Sequence, residues 1–505
     1  MNGEEPITEL RKLLAGTQDP ERAEAVASRR AKGYRTAREN LDDLCDPGSF
    51  VEYGQLAVAA QRQRRSPEDL RRNTPADGVI TGIATINAEC FGAAASQAAV
   101  AVYDYTVLAG TQGYFHHRKL DRILDLARRE ALPVVIYTEG GGGRPGDTDV
   151  TTQIAGLDLP TFARWAGLSG LVPRIAVSNG YCFAGNAALF GSADLRIATR
   201  SSCIGMAGPA MIEGGGLGRF EPNEIGPVGV QSRNGVIDCV CEDEAEATAC
   251  ARQLLGYFQG GLEAFDCPDQ SVLDSLLPAD RRYSYHVRKV IEVLADSGSF
   301  LEVTAGFGGA IITGFMRLEG RPLGLLASDC RVLGGAIDAA AAEKAARFLR
   351  LCSQHGLPIV SLCDTPGFMV GPASEEQAAV RYMSDLFVAG AQLAVPLVAI
   401  ILRKAYGLGA MAMAGGSFAE PVYTASWPSG EFGGMGLEGA VRLGYRKELE
   451  AQADPQEREA LFESLVAELY EKGRAVEAAT HLEIDAVIVP SATRKHVSRA
   501  LAAAG

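Results

Sequence analysis

The sequence predicts an α/β protein in which one folding unit occurs twice. Three observations carry this. Short β-branched runs alternate with helix-length amphipathic segments; a set of phrases returns about 225 residues later; and 58 of 505 residues are glycine, where about 7% is usual. Strand–helix–strand alternation implies crossover connections and sheets covered by helices. The glycine excess demands many tight turns and excludes a plain helical bundle.

The repeat is read phrase by phrase. Gly78–Gly82 (GVITG) is followed by Leu108-Ala-Gly110, a charged helix and Leu132–Ile136 (LPVVI). Ala310–Gly314 (AIITG), Leu333-Gly-Gly335, a charged helix and Leu357–Ser361 (LPIVS) follow in the same order, 232, 225 and 225 residues on. Pro173–Val177 returns as Pro396–Ile400, a shift of 223, and Ala184–Ala187 as Leu408–Met411, a shift of 224. Ordered recurrence over several phrases divides the chain into domains 1–260 and 261–505.

The elements follow in order. The first 45 residues, rich in Arg and Glu, read as helical, and Gln61–Arg72 (QRQRRSPEDLRR) as a mobile basic loop. Lys119–Arg129 is an amphipathic helix between the first copy's inner strands, of which Val134–Tyr137 and Ile175–Val177 are clear. Glu242–Leu255 forms one helix, and Gly260–Arg282, with Pro268 and Pro278, is the linker. In the second copy Ala339–His355 is the helix, and Ile359–Leu362 and Val398–Ile401 are strands.

Composition narrows the function. Hydrophobic residues make up 47% and charged residues 22%, enough to bury a core and too apolar for disorder. A net charge of −14 opposes nucleic acid and anionic membranes, so an anionic ligand needs a local basic patch. Eleven scattered cysteines, with one C-x-C pair at Cys239 and Cys241, fit neither a disulfide framework nor a zinc ribbon, and no metal is expected. The opening MNGEEPITELRKLL resembles no signal peptide, and no 18-residue window suits a bilayer; a cytoplasmic protein is the expectation. No H-E-x-x-H or G-x-S-x-G occurs among the six histidines and the serines. His116 and His117, before Arg118 and Lys119, read as a solvated helix start, and Cys182 and Cys363 as small core residues.

What remains is glycine. Thr138–Arg144 (TEGGGGR) and Gly180–Asn186 (GYCFAGN) end strands of the first copy; Asp364–Phe368 (DTPGF) and Tyr406–Ala410 (YGLGA) do so in the second. Such turns are either plain strand-to-helix connections or concave clusters of N–H groups, strengthened by helix N-termini, that hold a phosphate or a developing oxyanion.

The paired glycine phrases resemble the carboxyltransferase (beta) subunit of biotin-dependent acyl-CoA carboxylases, in the crotonase superfamily, from about Gly33 to Val489. The most specific pieces are Gly33–Glu39 (GYRTARE) with Asp46–Phe50, Tyr105–Gly110, Leu333–Asp338 (LGGAID), Asp364–Phe368 and Arg403–Gly407 (RKAYG). Glu139–Asp147 (EGGGGRPGD) and Gly430–Gly436 (GEFGGMG) look most like the carboxyltransferase portion of single-chain, long-chain acyl-CoA carboxylases. The resemblance implies two tandem crotonase-like (ClpP/crotonase) domains, with acyl-CoA on the first and carboxybiotin on the second. It also implies a hexamer, a trimer of dimers, whose active site joins the first domain of one subunit to the second domain of another.

In the mechanism so implied, carboxybiotin loses CO2, the biotin enolate takes the α-proton of the thioester, and the thioester enolate attacks CO2. Biotin is the base, so the protein needs only two oxyanion holes. Position by position, these fall on Ala184 and Gly185 for the thioester and on Leu408 and Gly409 for biotin. The family usually has Gly-Gly and Gly-Ala there, and Asn-Pro where this chain has Asp329-Cys-Arg331. Substrate contacts are carried to Gly140, Gly141 and Gly142, and to Gly367, Phe368, Tyr406, Gly407 and Met411; the flexible apolar segment Ala410–Met413 suggests an acyl chain longer than acetyl. Arg118 and Lys119, with Arg30 or Arg35, are candidates for the CoA phosphates. No Met-Lys-Met biotinylation phrase is present, so the expected partners are a biotin carboxylase and a biotin carboxyl carrier. Two alternatives stand beside this: a biotin-independent malonyl-type-CoA decarboxylase or acyltransferase on the same scaffold, motivated by Asp329–Arg331, and a non-catalytic assembly subunit.

Overall fold

Apolar runs too short for helices form the strands, and the structure, a computed structural model, describes residues 4–150 and 156–504. The chain divides into two units, Met1–Gly260 and Gly261–Gly505, each of mixed α/β architecture. In the first unit the strands are β1 (Val51–Tyr53), β2 (Val79–Thr85), β3 (Gln97–Tyr103), β4 (Val134–Tyr137), β5 (Arg174–Ser178), β6 (Tyr181–Phe183), β7 (Leu195–Thr199), β8 (Cys203–Gly205) and β9 (Cys239–Cys241). The sheet runs β1-β2-β3-β4-β5-β7-β9, with β6 and β8 as a separate parallel pair. The β1–β2 and β2–β3 pairings are antiparallel and the rest of the sheet is parallel. Every residue of β4 and β5 is buried, which is why Val134–Tyr137 and Ile175–Val177 read as unbroken apolar runs. The helices Tyr114–Glu130 and Thr161–Ala166 lend Leu120, Ile123, Leu124 and Trp165 to the same core.

The second unit repeats the plan with β10 (Leu301–Val303), β11 (Ile311–Leu318), β12 (Arg321–Ser328), β13 (Ile359–Thr365), β14 (Leu397–Tyr406), β15 (Tyr423–Ser426), β16 (Glu431–Gly433) and β17 (Ala486–Val487). Its order is β10-β11-β12-β13-β14-β15-β17, with β16 added to the end of β14. Again the first two pairings are antiparallel and the others parallel. Strand β14 runs unbroken for 10 residues, where the first unit splits the same path into β5 and β6. The break falls at Asn179 and Gly180, where a Cβ on Gly180 would strike the Glu139 carboxylate.

Several expectations need correction. Gln61–Arg72 is not a mobile loop: Ser66 caps the helix Pro67–Asn73 by accepting the Asp69 N–H, and the buried Gln61 donates to Asp147 at 3.1 Å. The Gly260–Arg282 segment is more than a linker, because Leu273 in its short 3-10 helix Gln270–Ser275 is buried in the second unit's core. His116 and His117 are interior, not solvated. The His116 N–H donates to Asp77 Oδ2 at 2.7 Å, its ring lies 4.4 Å from that of Tyr103, and burial holds its pKa well below 6.5.

Candidate active site

In the first unit β4 delivers the chain into Thr138–Arg144. Gln112 and Gly143 form a parallel bridge, with the Gln112 N–H donating to Gly142 O at 2.8 Å and the Arg144 N–H to Gln112 O at 2.9 Å. That geometry spends the amides on either side of Gly143 and leaves the Gly143 N–H without a partner among the described residues. Beyond β6 the helix Gly185–Gly191 starts directly after Ala184, a non-glycine residue at φ 52°. A helix's first N–H groups lack intrahelical acceptors, and the Gly185 N–H is unpartnered among the described residues. The Ala184 N–H, by contrast, donates to Gly205 O at 3.0 Å.

Loop and helix are locked together by Asn186. Its Oδ1 accepts the Gly142 N–H at 3.0 Å while its Nδ2 donates to Thr138 O at 3.1 Å and Gly110 O at 3.3 Å. Gly142, at φ 92°, lies so close that a Cβ there would come within 2.7 Å of the Ala184 Cβ. Gly140 and Gly141 are tied down, their N–H groups donating to Tyr181 O (2.7 Å) and Ala109 O (3.1 Å). The far end of the loop is pinned by Arg144, whose guanidinium meets the fully buried Asp77 carboxylate at 2.5 Å.

The second unit builds the counterpart. Ile337 and Phe368 form the same bridge, the Ile337 N–H donating to Gly367 O at 3.0 Å and the Met369 N–H to Ile337 O at 2.8 Å, which leaves the Phe368 N–H unpartnered among the described residues. The helix Gly407–Met413 follows β14, with Gly407 at φ 56° in the place of Ala184. Strand pairing sets this equivalence: Phe183 is opposite Gly205 and Tyr406 opposite Gly433, a shift of 223. Gly185 therefore corresponds to Leu408, and Asn186 to Gly409. Where the first unit bridges helix to loop with a side chain, the second dispenses with one: a Cβ on Gly409 would lie 2.6 Å from Gly367 C and 2.8 Å from Phe368 N.

Leu408 is 61% exposed, and its N–H is unpartnered among the described residues. Beside it opens a groove of about 670 Å³ lined by Gly407, Met411, Phe418, Phe432, Gly433 and His481. Tyr406 is buried; its hydroxyl donates to Glu431 Oε2 at 2.9 Å, and burial beside that carboxylate pushes its pKa up. A larger groove in the first unit, about 860 Å³ and lined by Lys12, Arg22, Arg62 and Arg71 among others, includes none of the glycine-loop residues. Volume is the weaker guide, since holding an oxyanion requires converging N–H groups.

The expected cations separate. Arg118 is exposed, over the Tyr114 ring at 5.9 Å. Lys119 is not a phosphate ligand: its ammonium is buried and donates to Ala76 O at 2.8 Å and to Val79 O, and burial lowers its pKa to about 8. Arg30 pairs with Glu39 at 2.5 Å and Arg35 with Asp43 at 2.9 Å. Burial pushes the Cys182 thiol up to about 12 and raises Cys363 as well, so neither is a poised nucleophile. Asn186 escaped notice in the sequence, although an amide side chain opening a helix of small residues was the available sign.

Residues 28–505 match the family model of the carboxyl transferase domain. The propionyl-CoA carboxylase beta chain of Saccharopolyspora erythraea is 32% identical over 501 residues, covering 94% of this chain and 89% of its own. A single-chain, multi-domain long-chain acyl-CoA carboxylase superposes with a TM-score of 0.93 at 57% identity, over 98% of this chain and 48% of that one; this chain thus spans about half its length. The transcarboxylase 12S hexamer, solved with methylmalonyl-CoA and methylmalonic acid bound, superposes at 0.84 with 29% identity, over 99% of this chain and 94% of that one.

Proposed function

This chain belongs to the carboxyl transferase domain family, and from that premise we propose that it is the carboxyltransferase component of an acyl-CoA carboxylase, moving a carboxyl group from carboxybiotin to the α-carbon of an acyl-CoA. The observation that carries the reading is the matched pair of unspent backbone donors in each unit. In the first, the Gly185 and Gly143 N–H groups receive the thioester enolate oxygen; in the second, those of Leu408 and Phe368 receive the ureido oxygen of biotin. The Ala184 amide expected beside Gly185 is already committed to Gly205, so the loop amide of Gly143 stands in its place, and on the biotin side that of Phe368 stands in the place expected for Gly409. Both units are read as crotonase-like domains, the first serving acyl-CoA and the second biotin.

Carboxybiotin, a substrate brought by a carrier protein, supplies both the CO2 and the base for the α-proton. The chain's own residues bind and orient. The first turns of the helices Gly185–Gly191 and Gly407–Met413 add the partial positive charge of aligned peptide dipoles, and each such donor is worth roughly 3–4 kcal/mol of barrier. The groove beside Leu408, lined by Met411, Phe418 and Phe432 and by Gly407, Gly433 and Gly434, supports a site for the biotin bicycle. Phe162 beside Gly185 and the long-chain relative support an acyl group longer than acetyl. A biotin carboxylase and a biotinylated carrier complete the system, and copies of this chain form a hexamer like the 12S relative.

Asp329, in the segment that motivated the decarboxylase alternative, is held between Arg288 (2.8 Å) and Arg331 (2.9 Å) in an ion-pair cluster. The test is reconstitution. With biotinylated carrier, biotin carboxylase, ATP, bicarbonate and acyl-CoAs from acetyl to long-chain, a malonyl-type product is expected from at least one. Absence of product across the panel would defeat the reading, and CO2 release from malonyl-type thioesters without biotin would favour the decarboxylase.

A further inference from the structure

Each glycine loop springs from a buried carboxylate. Glu139 lies two residues beyond β4 and Asp364 sits near the end of β13, at equivalent positions 225 residues apart; they are 6% and 0% exposed. Each meets a buried guanidinium. Arg29 donates to both Glu139 oxygens at 2.9 and 2.5 Å, and Arg403 donates to Asp364 Oδ2 at 3.1 Å while the Lys404 N–H takes Oδ1 at 3.0 Å.

The two arginines are not related by the repeat. Arg403 lies in β14, at the position that the first unit fills with Gly180, where a side chain would strike Glu139. Arg29 comes instead from the helix Ala23–Arg30, far upstream. Yet the surroundings converge. The Arg29 Nε donates to Arg35 O at 2.9 Å and its guanidinium covers the Tyr34 ring at 4.4 Å; Arg403 Nη1 donates to Tyr283 O at 2.7 Å and covers the Tyr285 ring at 5.0 Å. One device, made of a loop-bearing carboxylate, a guanidinium and a tyrosine-bearing segment, has been assembled twice from different parts. Inheritance through duplication does not explain arginines at non-equivalent positions; a shared mechanical requirement does.

We propose that Arg29 and Arg403 are positioning residues for the two oxyanion holes, each clamping its carboxylate so that the loop amide beyond it, Gly143 or Phe368, stays aimed at the reacting oxygen. This rests on the carboxyl-transfer reading. A buried ion pair hydrogen-bonded to backbone resists displacement because separating it strands a charge in a poor dielectric, and a hole misplaced by about 1 Å loses roughly 100-fold in rate.

The test uses the full chain in the reverse direction, carboxyl transfer from a malonyl-type CoA to free biocytin, with kcat and both KM values measured. Arg29→Met and Arg403→Met should each lose about 100-fold in kcat with KM values within twofold, and Arg29→Lys and Arg403→Lys should recover about tenfold of that. Hydrogen exchange read by mass spectrometry should quicken about tenfold in 140–143 for the Arg29 variants and in 365–368 for the Arg403 variants, each without the other. Wild-type kcat in folded Met variants, or a loss confined to KM, overturns the proposal. Should a Met variant fail to fold, Glu139→Gln and Asp364→Asn, which keep the shape, carry the same expectations. If the wild type transfers nothing, the carboxyl-transfer reading fails, and unchanged loop exchange in the variants would sink the clamp separately.

Discussion

Gly409→Ala is the sharpest perturbation available, because the obstacle is backbone on both sides. The added Cβ would sit 2.6 Å from Gly367 C, 2.7 Å from Gly367 Cα and 2.8 Å from Phe368 N. Carbon atoms in contact prefer about 3.5 Å or more, so the first turn of the helix Gly407–Met413 and the Gly367–Phe368 loop must part by nearly 1 Å. These are the elements that carry the Leu408 and Phe368 amides. A displacement of that size costs about 100-fold in rate, or about 2.7 kcal/mol of barrier. Overpacking also removes about 1–3 kcal/mol of stability, a fall in Tm of about 2–10 °C for a domain of this size. The assay is reconstituted carboxyl transfer, with kcat and KM for acyl-CoA and melting curves recorded together. Gly439→Ala is the control: it lies in the helix Leu437–Gly444 with nothing within 4 Å of its added Cβ, and gains up to about 1 kcal/mol from helix propensity. A Gly409→Ala enzyme with kcat within twofold of wild type, or an equal loss in Gly439→Ala, would refute the placement of the biotin-side hole.

Other expectations follow from named contacts. Asn186→Ala strips partners from the Gly142 N–H, Thr138 O and Gly110 O together; a loss of about 3 kcal/mol in urea unfolding and a fall in kcat are expected, and unchanged stability would contradict the bridge. Lys119 gives a pH signature. Burial lowers its pKa from 10.5 to about 8, so between those values the unfolded chain holds a proton that the folded chain lacks, and this residue's contribution to stability rises with pH. The unfolding free energy of wild type minus that of Lys119→Met should therefore increase between pH 8 and 10.5 by up to about 3 kcal/mol; a flat difference would show a fully charged ammonium in the folded state. Arg118→Ala should raise KM for acyl-CoA by about fivefold with kcat unchanged, an exposed ion pair being worth at most about 1 kcal/mol. Equal KM values in the two enzymes would remove Arg118 from the CoA site.

Much of the architecture was legible because burial leaves a local trace. Strands buried on both faces read as apolar runs, so β4 and β13 were placed from LPVVI and LPIVS alone, and the glycine phrases marked the turns that follow. Length was less legible: β14 extends to Tyr406 because β16, some 25 residues further on, pairs with its end. The basic run at Gln61–Arg72 misled because charge suggests solvent, whereas Ser66 and Gln61 act through hydrogen bonds that composition conceals. His116 and Lys119 misled likewise. Their helix turns its first polar residues inward, toward carbonyls and a carboxylate at Ala76, Asp77 and Val79.

The chain order of residues was sufficient to establish a doubled α/β plan, its division and the glycine turns at strand ends, since these depend on periodicity and on backbone freedom within a few neighbours. Folding in three dimensions decided which amides stay unspent: the Ala184 N–H is committed to Gly205 O, while those of Gly185 and Gly143 have no partner among the described residues. It likewise decided which arginine meets which carboxylate, Arg29 reaching across 110 positions to Glu139 while Arg403 serves Asp364 from an adjacent strand. A hydrogen bond is won by the nearest competent group in space, and proximity between distant segments is set by packing that no local pattern records.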